Sequence, residues 1–252
     1  MSRTRHRRGC VRSLAYDYAS GHRVVPHRHT WHQLVYAVRG VMTLSTSSGS
    51  WIVPANRGVW VPAHVEHAIR MSGAVHMRTL YLDPRATGAR APRECRVVDV
   101  SPLLRELIVE IVARGGLDRR VAHERHLADV LFDHVGALRA IGVHLPEPRD
   151  ARARRVADRL ADDPADARPL AAIARGSGAS ARTLQRLFRA ETGMTFDAWR
   201  RQLRLSHALT RLAAGGSVTE VALDAGYASV SAFVSIFRRT FGETPGRVLA
   251  RG

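Results

Sequence analysis

The sequence predicts an α+β protein with a β-rich N-terminal region followed by an entirely helical C-terminal region. Residues 11–84 contain short runs of β-branched and aromatic residues that alternate with glycine, proline and serine, which is typical of a sandwich or small barrel. From residue 101 onward, apolar residues recur with helical period. A pattern of helix, tight turn and helix occurs twice near the C-terminus, with an offset of 48 to 49 residues. These observations predict two domains.

The composition restricts the classes of protein to which the chain can belong. Its 252 residues are 45% hydrophobic, enough to bury a core in each domain, and the formal net charge of +17 favours polyanionic partners. Two cysteines, Cys10 and Cys95, are too few for a disulfide framework or a four-thiolate zinc site. The sequence has no apolar run of the roughly 20 residues that a membrane span needs, and no secretion signal. We therefore expect a cytoplasmic protein with no membrane partner.

Short apolar runs divide the N-terminal region into strands. The predicted strands lie at residues 33–38, 41–46, 51–53, 58–61 and 77–82. The first ten residues are expected to be disordered, and the segment at 85–96, rich in proline and arginine, is expected to be a loop. The β domain is accordingly placed at residues 1–100.

Residues 101–145 are predicted to form a helical hairpin. Ser101 is the expected N-cap with Pro102 at the first helical position, and Gly115 and Gly116 end the first helix. The apolar stripes of the two helices comprise Leu103, Leu104, Leu107, Ile108, Ile111 and Val112, then Leu127, Val130, Leu131, Val135 and Leu138. Two alternatives stay open: the hairpin braces the β domain, or it meets a second copy of the chain in a homodimer.

A proline-containing linker at residues 145–149 separates the hairpin from a helical domain at 151–252. Within this domain, one long helix at residues 196–213 connects the two copies of the repeated pattern. A rigid connecting helix would fix the separation of the two copies. Two entries into the major groove on one face of DNA must lie about 34 Å apart.

The repeated pattern predicts two helix-turn-helix units. In the first copy the small Ala174 lets two helices approach closely, and Gly178 occupies the turn, where a positive φ is often needed. Ala222 and Gly226 repeat this spacing. Because the second helix of such a unit enters the major groove, the duplication predicts a protein that reads two segments of duplex DNA.

The second helix of each unit offers side chains for DNA. Its expected N-cap is a serine, and arginine and glutamine on the outer face of the first unit can bond base edges bidentately. The small hydroxyl residues of the second unit suit contacts to phosphate, methyl groups or water. The predicted DNA-facing residues are Ser180, Ala181, Arg182, Gln185, Arg186, Ser229, Ser231, Ser235 and Arg238.

The helical domain resembles the DNA-binding domain of the AraC/XylS transcription regulators. The similarity covers about residues 154–250 and is most distinctive at residues 222–233 and 237–245. It implies seven helices with two helix-turn-helix units, binding to promoters, and activation through contacts with RNA polymerase. Val230, Ser231 and Ala232 depart from the pattern, since many members carry more polar side chains there.

A second pattern lies in the β domain, where Gly21 is followed after five residues by His27 and then, one residue further, by His29. Residues two apart in a strand share a face, so His27 and His29 are expected to project together. Gln33 and His67 could join them from neighbouring parts of the wall. Three imidazoles and one oxygen donor suit a divalent transition metal such as Zn, Fe or Ni.

This spacing resembles the two motifs of the cupins. Gln33 stands where glutamate is usual in the first motif, and His64 takes the place of a glycine in the second. The resemblance covers about residues 20–82 and implies a barrel in which His27, His29, Gln33 and His67 are the potential metal ligands. A pocket for a sugar or another small molecule, without metal, remains the alternative.

The leading interpretation is a sequence-specific DNA-binding transcriptional regulator, not an enzyme, in which the cupin-like domain senses a small ligand or metal. Its expected partners are promoter DNA, RNA polymerase, the effector and a second copy of the chain. The alternative is a metal-dependent cupin oxygenase or isomerase fused to a DNA-binding module, which turnover of a substrate would reveal. A third interpretation is a constitutive repressor in which the barrel serves only for dimerisation.

Overall fold

The structure is a computed structural model that describes residues 9–140 and 144–249. This part of the chain divides into two compact units, the first comprising residues 9–46 and 51–140, and the second comprising residues 47–50 and 144–249. Of the ten N-terminal residues expected to be disordered, only Gly9 and Cys10 are among the described residues, and Cys10 is buried. Within the described ranges, no helix is both long enough and apolar enough to cross a membrane.

The β-rich region is an antiparallel arrangement built around two long strands. The order of paired strands is β7-β5-β3-β6-β1-β8, while β2 also pairs with β6 and β4 with β3. The strands are β1 Val11–Tyr18, β2 Arg23–His27, β3 His32–Thr46, β4 Gly49–Val53, β5 Arg57–Val61, β6 His67–Leu82, β7 Arg96–Asp99 and β8 Gly116–Leu117. The predicted α+β fold with a cupin-like sheet domain is confirmed.

Two strands predicted as separate runs form one continuous strand, β3. The register between β3 and β6 shifts on either side of Arg39, beside Gly40, whose φ is +79°. A Cβ at Gly40 would lie 2.4 Å from the carbonyl oxygen of Ala74, so this position requires glycine. The bulge bends the long strand without ending it, which the sequence runs did not indicate.

Side chains alternate strictly across the middle of β3. Leu34 and Tyr36 belong to a core shared with the helices that follow, whereas Val35 and Ala37 belong to a second core inside the barrel. Gln33 has the same parity as Val35 and therefore points toward the barrel interior.

The predicted loop at residues 85–96 is only partly a loop. It contains a short helix, α1 Pro84–Thr87, and a 3-10 turn, Gly88–Arg90, before β7 begins at Arg96. The Asp83 carboxylate accepts a hydrogen bond from the Arg85 backbone N–H at 2.9 Å and so caps the helix. A helix of one turn is too short to show a helical period in the sequence, and the proline and arginine content of the segment did not indicate it.

The helical hairpin braces the β domain. Its helices are α2 Pro102–Arg114 and α3 Ala122–Gly136, and they bury Ile108 and Leu131 in the same core as Leu34. As predicted, Ser101 caps α2 and Gly115 ends it with a φ of +79°. The connection is not a simple turn, because it contains strand β8, which pairs with β1.

Two residues assigned to the buried stripes of this hairpin face solvent instead. Leu103 on α2 is 58% exposed and Val130 on α3 is 42% exposed. Each lies beside a residue that is fully buried, namely Leu104 and Leu131. The buried face of a helix that packs against a single sheet is narrow, so not every apolar residue of the helix is buried.

The second unit contains seven helices within the described residues, as the family resemblance implies. They are α4 Ala151–Asp162, α5 Leu170–Ile173, α6 Ala181–Thr192, α7 Phe196–Ala213, α8 Val218–Asp224, α9 Val230–Phe241 and α10 Pro245–Leu249. The segment predicted as a linker includes a short strand, β9 His144–Pro146. Trp199 donates its indole N–H to the Pro146 carbonyl at 2.7 Å, and Leu145 is buried in the helical core. This end of the segment is therefore part of the helical unit.

Candidate DNA-binding helices and a histidine cluster

The first helix-turn-helix unit is formed by α5 and α6. Ala174 is buried at the end of α5, and Gly178 has a φ of +81° in the turn. The Ser180 hydroxyl accepts from the Thr183 backbone N–H at 3.2 Å and caps α6. Phe188 is fully buried, which anchors α6 to the unit. The predicted packing of this unit is thus present.

The outer face of α6 carries most of the predicted DNA-facing residues. Arg182, Gln185 and Arg186 are exposed, as is Ser180 at the N-cap, whereas Ala181 is half-buried. Within the described residues, neither Arg182 nor Arg186 forms an ion pair or a side-chain hydrogen bond. Both guanidinium groups therefore keep their donors available for base edges or phosphates.

The second unit is formed by α8 and α9 and follows the same plan. Gly226 has a φ of +74°, and Ser229 accepts from the Ala232 backbone N–H at 3.2 Å to cap α9. Phe233 and Phe237 are fully buried. Ile236 is only half-buried, because it lies at the edge of the buried face.

The outer face of α9 forms a shallow groove. Ser231, Ser235 and Arg238 are exposed, as is the cap residue Ser229. The residues that line the groove are Val230, Ser231, Val234, Ser235, Arg238, Arg239, Gly242 and Thr244. All nine predicted DNA-facing residues therefore lie on, or at the N-cap of, the second helices of the two units.

The structure brings the predicted histidines together at one end of the barrel. His27 is the last residue of β2 and His67 the first of β6, while His29 lies beyond β2 and is not in a strand as expected. One nitrogen from each imidazole lies within 4.8 Å of the others. His64, which replaces the usual glycine, has a φ of +67° and donates its backbone N–H to the His29 carbonyl at 2.8 Å.

Each imidazole is held in one tautomer by the backbone. The Nδ1 atoms of His27, His29 and His67 contact the carbonyl oxygens of Val25, Trp31 and Val65 at 2.9, 2.6 and 3.0 Å. A carbonyl can only accept, so each Nδ1 carries a proton, and in the neutral form of the imidazole the Nε2 atom then presents a lone pair. Such a backbone contact is typical of metal-binding histidines.

Gln33 completes the cluster from the barrel interior. Its Nε2 donates to the Thr79 hydroxyl at 2.9 Å and to the Tyr81 hydroxyl at 3.2 Å. Its Oε1 therefore faces His29 Nε2 at 3.0 Å and His67 Nε2 at 3.1 Å. In this orientation of the amide, several acceptors converge on one point.

Burial keeps two groups at this cluster uncharged at neutral pH. His67 is buried, and desolvation lowers its pKa to about 4, so its imidazole is uncharged at neutral pH. Desolvation, with the nearby phenols of Tyr16 and Tyr18, raises the pKa of Tyr81 to about 12, so this phenol keeps its proton. Three imidazole nitrogens and a carbonyl oxygen are a donor set that fits a divalent transition metal.

The sequence patterns missed Thr79, Tyr81 and Arg12 as neighbours of this cluster. Arg12 on β1 lies opposite Tyr81 on β6, which in turn lies opposite Gln33 on β3. The alternation of side chains along β1 indicates only which residues share a face with Arg12. It does not reveal that Arg12, Tyr81 and Gln33 are neighbours, because the strand pairing joins residues far apart in sequence. His32 lies outside the cluster of three histidines, and its Nδ1 accepts from the Ala63 backbone N–H at 3.0 Å.

Comparisons with known proteins find matches to two separate parts of the chain. Residues 11–132 match the AraC-like ligand binding domain, and residues 173–251 match a helix-turn-helix domain. The HTH-type transcriptional regulator NimR of Escherichia coli K12 is 35% identical over 225 residues, covering 89% of this chain and 82% of NimR.

Two further similarities are more limited. The transcriptional regulator RipA of Corynebacterium diphtheriae is 41% identical over 115 residues, which cover 46% of this chain and 32% of RipA. A solved structure of ToxT from Vibrio cholerae is 15% identical with a TM-score of 0.41, covering 96% of this chain and 95% of ToxT. The domain matches and the similarity to NimR favour a regulator over a cupin enzyme. The chain belongs to the AraC family of DNA-binding transcriptional regulators and carries an N-terminal ligand-binding domain.

Proposed function

We propose that this chain binds promoter DNA through α6 and α9 and that a divalent transition metal in the barrel controls this binding. Its ligands would be His27, His29, Gln33 and His67. The observation that carries the metal proposal is the convergence of the Nε2 lone pairs of His29 and His67 on Gln33 Oε1, at 3.0 and 3.1 Å. Three acceptors this close repel one another unless a cation lies between them.

The orientation of the Gln33 amide decides between a metal site and a network without metal. If the amide were rotated by 180°, its NH₂ group would donate to both imidazoles, and its oxygen would accept from Thr79 and Tyr81. That arrangement would satisfy every group without an ion. With the oxygen inward, as in the structure, the lone pairs of unprotonated Nε2 atoms face the Gln33 oxygen, and a bound metal would supply the positive charge between them.

The DNA contacts follow from the exposed faces of the two second helices. On α6, Arg182, Gln185 and Arg186 are exposed and suited to base edges, while Arg238 on α9 is suited to phosphate. Occupancy of the barrel would alter DNA affinity only if the metal binds two states of the protein with different affinity. Control by the metal therefore requires that the DNA affinity of the metal-bound protein differ from that of the metal-free protein.

RNA polymerase and a second copy of the chain are the remaining proposed partners. We place the protein in the cytoplasm as a transcription activator that contacts RNA polymerase at the promoter. The exposed Leu103 and Val130 on α2 and α3 provide apolar surface for the second copy. Sedimentation equilibrium that gives a monomer at all concentrations would remove the homodimer from this proposal.

The test combines metal analysis with DNA binding by the full-length protein. Genomic fragments selected by the purified protein serve as DNA, and anisotropy measures affinity before and after loading with Zn(II), Fe(II) or Ni(II). We expect about one ion per chain in the wild type, none in His27→Ala/His29→Ala, and a change in DNA affinity with metal only in the wild type. The matched control, His123→Ala/His126→Ala, replaces two exposed histidines of α3 and is expected to behave as the wild type.

The outcomes separate the two parts of the proposal. A wild-type protein that retains no metal after loading would contradict the metal site, and equal DNA affinity with and without bound metal would contradict its control of DNA binding. If no selected fragment binds more tightly than random DNA, the assignment of α6 and α9 as sequence readers is wrong.

A further inference from the structure

One cation lies in the same row of side chains as the histidine cluster. Arg12, Tyr81 and Gln33 occupy directly opposed positions on β1, β6 and β3, so their side chains share the interior face. The Arg12 guanidinium lies over the indole of Trp31, 4.3 Å from the ring centroid. The Trp31 carbonyl in turn accepts the Nδ1 proton of His29. Arg12 is therefore linked by contact to one of the proposed metal ligands.

The Arg12 guanidinium has no anionic partner among the described residues. Its Nε is buried and forms no hydrogen bond there. The acidic side chains nearest in sequence to the cluster, Asp17 and Glu66, are exposed, and Asp17 bonds Arg78 instead. An unpaired buried donor costs free energy that an anionic ligand would recover.

The charge of the cluster also favours an anionic ligand. Where cupins usually place a glutamate, Gln33 is an uncharged amide, and an imidazole that binds a metal ion does so through an unprotonated nitrogen and adds no charge. A divalent ion held by these groups would keep its full charge, and Arg12 adds another positive charge on the same face. An anion beside the ion would offset both charges in a setting where burial strengthens their attraction.

An aromatic wall adjoins these charges. Tyr16 and Tyr18 follow Arg12 on the same face of β1 and stack at 5.5 Å, and Tyr18 stacks on His22 at 4.5 Å. Tyr81 meets the His29 ring edge-on at 5.2 Å. Tyr16 is 39% exposed, so the wall is open to solvent. Aromatic side chains of this kind favour a planar ring.

We infer that the effector of the barrel is a small aromatic carboxylate, with its carboxylate between Arg12 and the metal and its ring against Tyr16, Tyr18 and Tyr81. The inference rests on the proposed function, because it uses the same end of the barrel. It adds a class of ligand and a specificity-determining residue, Arg12, that the metal site alone does not require.

The experiment titrates benzoate into the zinc-loaded and zinc-free full-length protein, with calorimetry and intrinsic tryptophan fluorescence as readouts. Benzamide, which has the same ring without the charge, is the matched probe. We expect benzoate to bind zinc-loaded wild type at least tenfold more tightly than benzamide, and Arg12→Gln to lose about tenfold in benzoate affinity while retaining zinc. Arg12→Lys, which restores the charge, should recover part of that loss. Arg70→Gln, at an exposed position of β6, is expected to leave benzoate binding unchanged.

Each outcome decides the proposal. Equal affinity of the zinc-loaded wild type for benzoate and benzamide, or equal benzoate affinity of wild type and Arg12→Gln, overturns the inference while the metal site stands. If the wild type retains no zinc but binds benzoate in a manner that depends on Arg12, the anion site is supported and the metal site is wrong. If Arg12→Gln unfolds, the comparison of Arg12→Lys with the wild type and of benzoate with benzamide still decides.

Discussion

The two helix-turn-helix units share one internal frame but differ in the face they present to solvent. In both, a serine caps the second helix, a glycine with positive φ makes the turn, and a fully buried phenylalanine, Phe188 or Phe237, anchors the packing. The exposed face of α6 carries arginine and glutamine, whereas that of α9 carries serine at Ser231 and Ser235. The repeat therefore keeps the residues that pack inside each unit and differs in the residues that face solvent.

This difference assigns unequal roles to the two units. Arginine and glutamine can form bidentate bonds with guanine or adenine, each of which discriminates against a wrong base by about 1–3 kcal/mol. Serine, with one rotatable hydroxyl, forms single bonds to phosphate, water or several bases. We therefore expect α6 to supply most of the sequence specificity and α9 mainly to supply affinity and orientation.

The largest expected loss of DNA affinity comes from replacing the two arginines of α6. Arg182→Ala/Arg186→Ala should weaken binding to a selected promoter fragment by about 100-fold or more, because two contacts to base edges or phosphates disappear. The matched pair in α9, Ser231→Ala/Ser235→Ala, should weaken it by less than about tenfold. Fluorescence anisotropy with selected and random DNA measures both. A larger loss in the serine pair would reverse the roles assigned to the two units.

The C-terminal frame was predictable because its determinants are local. Ala174, Gly178 and Ser180 lie within a stretch of seven residues, and the spacing of Ala174 and Gly178 recurs at Ala222 and Gly226. The helix joining the units begins and ends at the predicted residues. Helical period, caps and glycine turns are all short-range signals, so the sequence carries them directly.

The barrel was less predictable because its site depends on pairing between distant strands. The spacing of His27, His29 and Gln33 identified the cluster, and His67 came from a second motif. Arg12 and Tyr81 escaped notice because only the register of β1 against β6 brings them together. Strand β8 is two residues long and has no pattern of its own. It forms only because it pairs with β1 at the edge of the sheet.

A smaller difference between the two units is the space around the glycine of each turn, which affects stability. Gly226 and Gly178 both have a positive φ, but a Cβ at Gly226 would lie 3.2 Å from both the Ala165 carbonyl oxygen and Arg204 Cζ. At Gly178 the nearest atom would be a guanidinium nitrogen of Arg155, at 3.4 Å. Because Arg204 is held by hydrogen bonds to the carbonyls of Pro164 and Asp166, it cannot move aside without losing them.

Alanine at the two turns should therefore destabilise the helical unit unequally. We expect about 2 kcal/mol or more for Gly226→Ala and about 1 kcal/mol for Gly178→Ala, measured by calorimetric unfolding. Gly193→Ala is the control for backbone strain alone, since Gly193 has a φ of +72° and no atom within 4 Å of the added Cβ. If all three variants lose the same stability, close packing around Gly226 contributes nothing to the difference between the turns.

The smallest expected effect concerns how the first helices of the two units begin. Helix α8 has a capping box, in which the Glu220 carboxylate accepts from the Ser217 backbone N–H at 3.3 Å and from its hydroxyl at 2.8 Å. Helix α5 begins after Pro169 and has no side-chain cap. The hydrogen bonds from Ser217 lower the pKa of Glu220 below its ordinary value of 4.5.

A group with a lowered pKa in the folded state stabilises the protein above the pKa of the unfolded chain and loses that effect as pH falls through the folded value. Glu220→Gln should therefore unfold at a lower temperature than the wild type at pH 7, and the gap should narrow steadily below about pH 4.5. Asp158→Asn, at an exposed position of α4, is the control and should show no such gap. A gap for Glu220→Gln that stays constant from pH 7 to pH 3 would mean that α8, like α5, begins without help from an ionised side chain.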